Sequence, residues 1–403
     1  MAIVVQKYGG SSVADPDKIR AVARRIIQTR NQGHQVTVIV SAMGDTTDDL
    51  LTMAKKVSPN PERRELDMLL SVGERISMSL LSMAIRELGG DAISFTGSQA
   101  GIITNDRHVD ARIIEVRPFR VQDELAQGKI VIIAGYQGVS YRKEVTTLGR
   151  GGSDTTSVAM AAALGAEWCE ICSDVDGVYS ADPRVVPAAR RIATLTYEEM
   201  QEMAEAGAKV LNAQAVEFAK EKGIAIYARA TAQSPPAQEM PTDSTVVRKH
   251  GPRMPGTVVG VASEKDLFIL QASEDGDSLL EFLDSQKACG KQLHVSSSGS
   301  LSMVLSRENL PDEERMRHQL EQRFGEKVKL TDGIGAVSVI GAGINTSYEK
   351  VRAGSAVLGA GVLGIATSSF RITWLIPQPF VDEAVRRLHA IFIEKPTEPV
   401  PVD

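Results

Sequence analysis

Twelve consecutive residues, Val145-Thr-Thr-Leu-Gly-Arg-Gly-Gly-Ser-Asp-Thr-Thr156, gather one arginine, three glycines and five hydroxyls. Such a segment has little apolar surface to bury, and each glycine costs chain entropy when it is ordered. Its chemistry is that of an anion site built from backbone N–H groups, small hydroxyls and one guanidinium. Arg150 could clamp a carboxylate or phosphate through two parallel hydrogen bonds. Asp154 stands where a helix should begin, so a plain N-cap is its alternative role. A second segment of the same kind, Lys7-Tyr-Gly-Gly-Ser-Ser12, follows a strand pattern and precedes a helix pattern. There glycine N–H groups and a helix start could face a phosphate, with Lys7 as a point charge, or the segment could be a simple tight turn. The lysine precedes the glycines, so this is not a Walker A loop. Two phosphate-friendly loops in one region suggest phosphoryl transfer rather than binding alone.

Other chemistry-bearing residues stand elsewhere. Ser173-Asp-Val-Asp-Gly-Val-Tyr179, with Asp182-Pro-Arg184, could hold a nucleotide base and ribose, or form an acidic surface loop with Asx turns. Glu74, in Gly73-Glu-Arg-Ile-Ser77, falls inside a predicted helix. It binds an amine if it faces a cleft, and otherwise meets solvent or Arg75. Lys209 has a surface role as its alternative.

The elements that must position these residues are legible. The first ~230 residues alternate short β-rich runs with helical patterns, which signals a largely parallel sheet covered on both faces. The runs predict strands at Ile3–Gln6, Val36–Val40, Ala92–Phe95, Ile130–Ala134, Trp168–Cys172 and Ile224–Ala228. Asp15 and Pro16 start a helix whose face carries Ile19, Val22, Ala23, Ile26 and Ile27. Further helices are expected over Thr46–Lys56, Glu62–Leu88, Thr155–Leu164 and Tyr197–Lys222. The polar loops follow strands, and open α/β sheets bind ligands beyond their carboxyl ends. A Pro-rich shift at 232–256 reads as a linker. Beyond it, 257–332 and 333–403 each read as strand–helix–strand–strand–helix, a tandem of small α+β sandwiches that need partners to cover their sheets.

Bulk properties exclude other classes. A net charge of -6 and the lack of a basic, aromatic-rich stripe disfavour nucleic acid. Three cysteines, Cys169, Cys172 and Cys289, give no disulfide framework and fit a reducing cytoplasm. Cys169 and Cys172 form C-x-x-C in a strand pattern without a second ligand pair, so apolar filler is favoured over zinc or redox use. No apolar run approaches the roughly 18 residues of a membrane span, and no signal peptide is expected.

Residues 1–231 resemble the aspartate kinases of the amino-acid kinase superfamily. The likeness rests on Val5-Gln-Lys-Tyr-Gly-Gly-Ser-Ser12, Val40-Ser-Ala-Met-Gly44 with Thr46 and Thr47, Gly73-Glu-Arg-Ile-Ser77, Ser94-Phe-Thr-Gly-Ser-Gln-Ala-Gly101, Thr147-Leu-Gly-Arg-Gly-Gly-Ser-Asp-Thr155, and Ser173–Tyr179 with Asp182-Pro-Arg184. The tail is similar to that family's paired ACT regulatory domains. The resemblance implies an α/β three-layer sandwich with a mainly parallel sheet, followed by an ACT-like tandem. It implies transfer of the γ-phosphoryl of ATP, with Mg²⁺, to the side-chain carboxylate of L-aspartate, the first step towards lysine (through diaminopimelate), threonine and methionine. By the same likeness Lys7 and the loop Tyr8, Gly9, Gly10 and Ser11 meet the ATP phosphates. Arg150, with Gly151, Gly152 and Ser153, takes the substrate α-carboxylate and Glu74 its amino group, while Ser41 and Thr47 line the pocket. Asp154 orders the cations, and Ser173, Asp174, Tyr179, Asp182, Arg184 and Lys209 hold the nucleotide.

The chemistry agrees. A carboxylate nucleophile, with a reference pKa near ~4, is already ionised and needs no general base. What it needs is relief of charge repulsion. Mg²⁺ would be held mostly by phosphates and water, without a dedicated ligand cluster. The effector pattern departs from the family's. Ser273-Glu-Asp-Gly-Asp277 lacks the proline of an Asp-x-Pro-Gly-like turn, Gly341–Glu349 lacks the Pro-Gly pair, and Thr367-Ser-Ser369 lacks the usual glutamate. Weakened feedback by lysine and threonine is the expectation, with the tail serving assembly as a homodimer or higher oligomer. The competing readings are an inactive ACT-type amino-acid sensor and another superfamily enzyme such as glutamate 5-kinase.

Overall fold

The computed structural model describes residues 1–149, 151–233, 243–251, 253–286, 288, 290–297, 299–307, 310 and 313–394. The chain divides into two compact units. The first comprises Met1–Val178, Arg191–Ala204 and Lys209–Pro252; the second comprises Tyr179–Arg190, Glu205–Ala208 and Arg253–Asp403.

In the first unit the strands are β1 (Ile3–Tyr8), β2 (Gln35–Val40), β3 (Ala92–Phe95), β4 (Ile102–Thr104), β5 (Ile113–Val116), β6 (Ile130–Ala134), β7 (Gln137–Ser140), β8 (Val145–Thr147), β9 (Trp168–Ser173), β10 (Thr194–Thr196), β11 (Ala225–Ala230) and β12 (Thr245–Arg248). The helices are α1 (Pro16–Asn31), α2 (Thr46–Val57), α3 (Arg63–Leu70), α4 (Val72–Glu87), α5 (Phe119–Ala126), α6 (Gly152–Leu164), α7 (Tyr197–Glu205) and α8 (Ala213–Lys222). An eight-stranded sheet runs β10-β12-β11-β9-β1-β2-β6-β3. Its pairs are parallel except β11 with β12. β2 and β6 are buried along almost their whole length, which is why they read as unbroken apolar runs rather than alternating ones. α1 follows its sequence pattern closely. The Asp15 side chain accepts from Lys18 N at 2.8 Å, and Ile19, Val22, Ala23 and Ile26 are buried against β2 and α4 residues. Each fully buried aliphatic side chain of this kind contributes roughly 1.5–3 kcal/mol.

Several expectations need correction. The helix expected over Glu62–Leu88 breaks at the fully buried Ser71, whose carbonyl accepts from Gln137 Nε2 at 2.8 Å. By length and composition Arg63–Glu87 could cross a membrane, yet it is two helices partly buried inside the protein. Such a pattern also suits a core helix pair, since α4 packs on α1, β3 and β6. The helix expected over Tyr197–Lys222 is two, α8 restarting where Asn212 Oδ1 accepts from Gln214 N and Ala215 N. Thr245–Arg248, inside the stretch read as a linker, is a strand of the main sheet. A second, four-stranded sheet, β5-β4-β7-β8, was not foreseen. Its strands are only three or four residues long, too short to show a period.

In the second unit the elements are β13 (Gly260–Ala272), α9 (Gly276–Ser285), β14 (Gln292–Val295), β15 (Leu301–Ser306), α10 (Glu313–Phe324), β16 (Val328–Ile340), α11 (Glu349–Leu358), β17 (Gly364–Thr367), β18 (Arg371–Pro377) and α12 (Val381–His389). The element order matches the expected tandem. However, the repeats do not form separate sheets: β13 and β16 pair antiparallel within one six-stranded sheet, β14-β15-β13-β16-β18-β17. Both strands run for 13 residues, longer than either repeat suggested. Residues 179–190 join this unit, with Ala181 and Val186 buried beside Trp374 and Val385.

Candidate active site

The sheet register aligns the ends of four strands. Tyr8 pairs with Val40 and Cys172, and Val40 pairs with Ala134. Gly9, Ser41, Gly135 and Ser173 therefore leave the sheet at one level, and their loops form a single rim. Close backbone approach requires glycine at two places here. A Cβ on Gly10 would lie 2.8 Å from Ala42 O, and one on Gly73 would lie 2.7 Å from Ala42 Cβ. These contacts seat the first loop and the start of α4 against the Ser41–Gly44 loop.

Lys7 and Asp154 meet on this rim. Lys7 Nζ lies 2.8 Å from Asp154 Oδ1, with only about a tenth of either side chain exposed. The contact is a close, largely buried charge pair. Asp154 is not the N-cap of α6: Gly151 takes that position at φ +72°, three residues earlier. The aspartate is thereby placed in the first turn and turned towards β1. Gly135 crosses over the helix start, where a Cβ would come within 2.7 Å of Ser153 Oγ. The partial positive charge of the α6 N-terminus thus faces the rim beside Lys7.

Glu74 sits in the first turn of α4 and is 3% exposed. Its Oε1 accepts from Ala42 N at 3.2 Å, while Oε2 is buried with no hydrogen-bond partner. Burial pushes its carboxyl up from 4.5 to about 7. Ser41 and Thr47 are half-buried on the neighbouring loop and helix start.

The remaining sequence-derived residues divide. Arg150 lies outside the described residues. Gly151, Gly152 and Ser153 are at the start of α6, and Ser11 is exposed beyond Gly9 and Gly10. Tyr8 was grouped with the nucleotide loop, but its side chain belongs to the core. It is fully buried, donates to Gln6 Oε1 at 3.3 Å and accepts from Arg25 Nη1 at 2.9 Å. Ser173, exposed Asp174 and exposed Lys209 belong to the first unit, whereas Tyr179, Asp182 and Arg184 belong to the second. Arg184 is engaged with Asp182 at 2.7 Å and largely exposed. Cys169 and Cys172 are fully buried, and desolvation pushes both thiols up to about 12, as for inert core cysteines.

Two buried polar groupings escaped the sequence reading. Glu170, in the middle of β9, is fully buried and lies 3.1 Å from Arg25 Nη2 and 3.7 Å from Arg229 Nη1. It also accepts from Gln6 Nε2 and Trp168 Nε1. This cluster ties β9 to β1 directly beneath the Lys7 loop. The other grouping centres on Asp67 of α3, fully buried and accepting from Thr147 Oγ1 and Val109 N. Val109 carries φ +72°, a conformation that costs a β-branched residue of order 1–3 kcal/mol. The signal for Glu170 was a lone charged residue inside an otherwise apolar strand; Asp67, in a helix that begins Arg63-Arg64-Glu65, gave none.

The parallel sheet, the single rim of loops and the cation beside a helix start define a phosphotransferase class. A model of the Amino acid kinase family matches residues 2–228. The aspartokinase of Mycolicibacterium smegmatis is 45% identical over 97% of this chain and 96% of its own length. The structure of E. coli aspartokinase III in complex with aspartate and ADP superposes with a TM-score of 0.83 at 23% identity, covering 96% of this chain and 99% of that one. The same enzyme in complex with lysine and aspartate gives 0.73 at 24% identity, covering 97% and 99%. These two likenesses show the shared fold. The chain belongs to the amino acid kinase family and, within it, to the aspartokinases; it is a kinase enzyme.

Proposed function

We propose that the rim transfers the γ-phosphoryl group of ATP to the side-chain carboxylate of L-aspartate, giving 4-phospho-L-aspartate and ADP. The observation that carries this reading is the Lys7–Asp154 pair beside the α6 N-terminus, with the open carboxylate oxygen of Glu74 in the first turn of α4. An aspartate carboxylate oxygen attacks the γ-phosphorus as the bond to the β,γ-bridging oxygen breaks, and ADP leaves with that electron pair. No proton has to move, because the nucleophile is ionised at neutral pH. Lys7, the Gly9–Ser11 loop and the helix start offset the charge that gathers between the two anions. Asp154 holds the Lys7 ammonium in place. Glu74 receives the substrate ammonium, and Arg150 with Gly151, Gly152 and Ser153 takes its α-carboxylate, with Ser41 and Thr47 at the wall. Ser173, Asp174 and Lys209 of the first unit are assigned to the nucleotide. Mg²⁺, if bound with the triphosphate, would be held mostly by phosphates and water and would help to neutralise the phosphate charge.

The test is a hydroxamate assay for acyl phosphate with ATP and aspartate, glutamate or no acceptor. Signal with aspartate alone supports the assignment; signal with glutamate or with neither acceptor overturns it. The product feeds the aspartate-family amino acids in the cytoplasm, a reading carried by the family resemblance.

Feedback by lysine and threonine is weakened in this reading. At the turn between β13 and α9, the Lys327 ammonium lies 2.9 Å from Glu274 and 2.8 Å from Asp275. The chain's own lysine thus competes for the carboxylates that an effector ammonium would seek. In the same reading the catalytic domain is 1–231 together with strand β12, with ACT-like units at 257–332 and 333–403. The exposed apolar residues on edge strands β14 (Leu293, Val295) and β17 (Ile365) serve homodimer assembly.

A further inference from the structure

The segment between β4 and β5 crosses the end of β8 just before the Gly149–Gly152 loop. It is closed on itself by Asn105, whose Oδ1 accepts from Arg107 N and Arg112 N and whose N donates to Arg112 O. Ala111 N donates to Thr147 O at 2.9 Å, fixing the segment to the last residue of β8. Two residues on, Gly149 has φ +72°, and a Cβ there would sit 3.3 Å from both Val109 O and Asp110 Oδ1. Gly149 therefore rests against this segment at close range.

What holds the segment is a carboxylate from α3. Asp67 Oδ1 accepts from Thr147 Oγ1 at 2.5 Å and from Val109 N at 3.0 Å; Asp67 Oδ2 faces His108 Nδ1 at 2.6 Å. Asp67 is wholly buried and His108 one-fifth exposed. The carboxylate accepts only, so His108 presents Nδ1–H to it and the Nε2 edge is directed elsewhere. Three donors from three chain positions meet on one carboxylate, and they keep Val109 in a conformation it would otherwise leave. α4, which carries Glu74, follows α3 after the single residue Ser71. One buried hub therefore links the helix pair bearing the amine acceptor to the loop bearing the carboxylate acceptor.

We infer that Asp67, His108 and Thr147 form a positioning site that sets Gly149, at the acceptor end of the rim, so that His108 controls aspartate affinity without touching substrate. This rests on the assignment of that end of the rim to aspartate. A donor at the Nδ1 position is required, and a fixed loop geometry is expected to affect the acceptor more than the nucleotide.

The experiment measures kcat, the KM for aspartate, the KM for ATP and the melting midpoint of the full-length enzyme and of His108→Ala, His108→Asn and Thr147→Val. His108→Ala should raise the aspartate KM about tenfold or more, as expected when a charge-assisted hydrogen bond is lost from a preorganised site. The ATP KM should stay within about twofold and the midpoint within a few degrees. His108→Asn, whose amide N–H can stand where Nδ1–H stood, should restore most of the affinity. If His108→Ala does not fold, Thr147→Val carries the same expectation. An unchanged aspartate KM would overturn the proposal, as would parallel rises in both KM values with a falling midpoint, or failure of His108→Asn to rescue. A wild-type enzyme without aspartate-dependent activity would instead remove the underlying loop assignment and the proposal with it, so the two failures are distinguishable.

Discussion

Glu74→Gln should make the ligand-free enzyme more stable above neutral pH while weakening its grip on aspartate. The carboxyl is 3% exposed, has one oxygen without a partner and is pushed up from 4.5 to about 7 by burial. Holding it charged in the folded protein costs roughly 3 kcal/mol. The direction follows from proton counting. Between 4.5 and about 7 the folded chain keeps a proton that the unfolded chain has released, so this group's contribution to stability is full below 4.5 and is lost as pH rises through 7. Glutamine keeps the Ala42 N–H acceptor and never ionises. The variant should therefore melt roughly 6 °C above wild type near pH 8.5, taking a cooperative unit of about 230 residues, and the gap should shrink to a degree or two near pH 5. Differential scanning calorimetry at the two pH values measures this. The aspartate KM near pH 8 should rise at least about tenfold, because the substrate ammonium loses its charged partner. A stability difference that did not change with pH, or a variant less stable than wild type at high pH, would refute the reasoning.

Three further outcomes are expected. Lys7→Met should lower kcat by about a hundredfold or more in the hydroxamate assay, since it removes the cation beside Asp154 that the proposed function sets against the transferring phosphate; Lys7→Arg should not restore it. Glu170→Ala should cost roughly 3–5 kcal/mol in chemical denaturation, because Arg25 and Arg229, at 5% and 1% exposure, would be left buried without that counter-charge. Lysine plus threonine at millimolar concentration should leave the initial rate within about twofold of the uninhibited value, and Lys327→Ala should increase any lysine sensitivity, since pairing of about half-exposed groups is readily broken.

The sequence by itself determined the α/β alternation, the six strands it marked in the first unit and the order of elements in the tail. Continuous Val and Ile runs have only one stable use, a sheet buried on both faces, and the Asp15–Pro16 start leaves little freedom at the head of α1. Glycine-rich polar loops after strands were legible for the same reason, because their composition does not suit a core. Tertiary structure alone decided which way the polar side chains point. Asp154 is a rim residue and not a cap because Gly151, in a left-handed conformation, begins α6 before it. Tyr8 is core although it neighbours Lys7, because successive residues of a strand face opposite sides. Pairing of β13 with β16 across the two repeats, the break at Ser71 and the hubs at Glu170 and Asp67 all depend on partners dozens to more than a hundred residues away. No local pattern encodes such partners; a buried carboxylate becomes favourable only when distant donors converge on it.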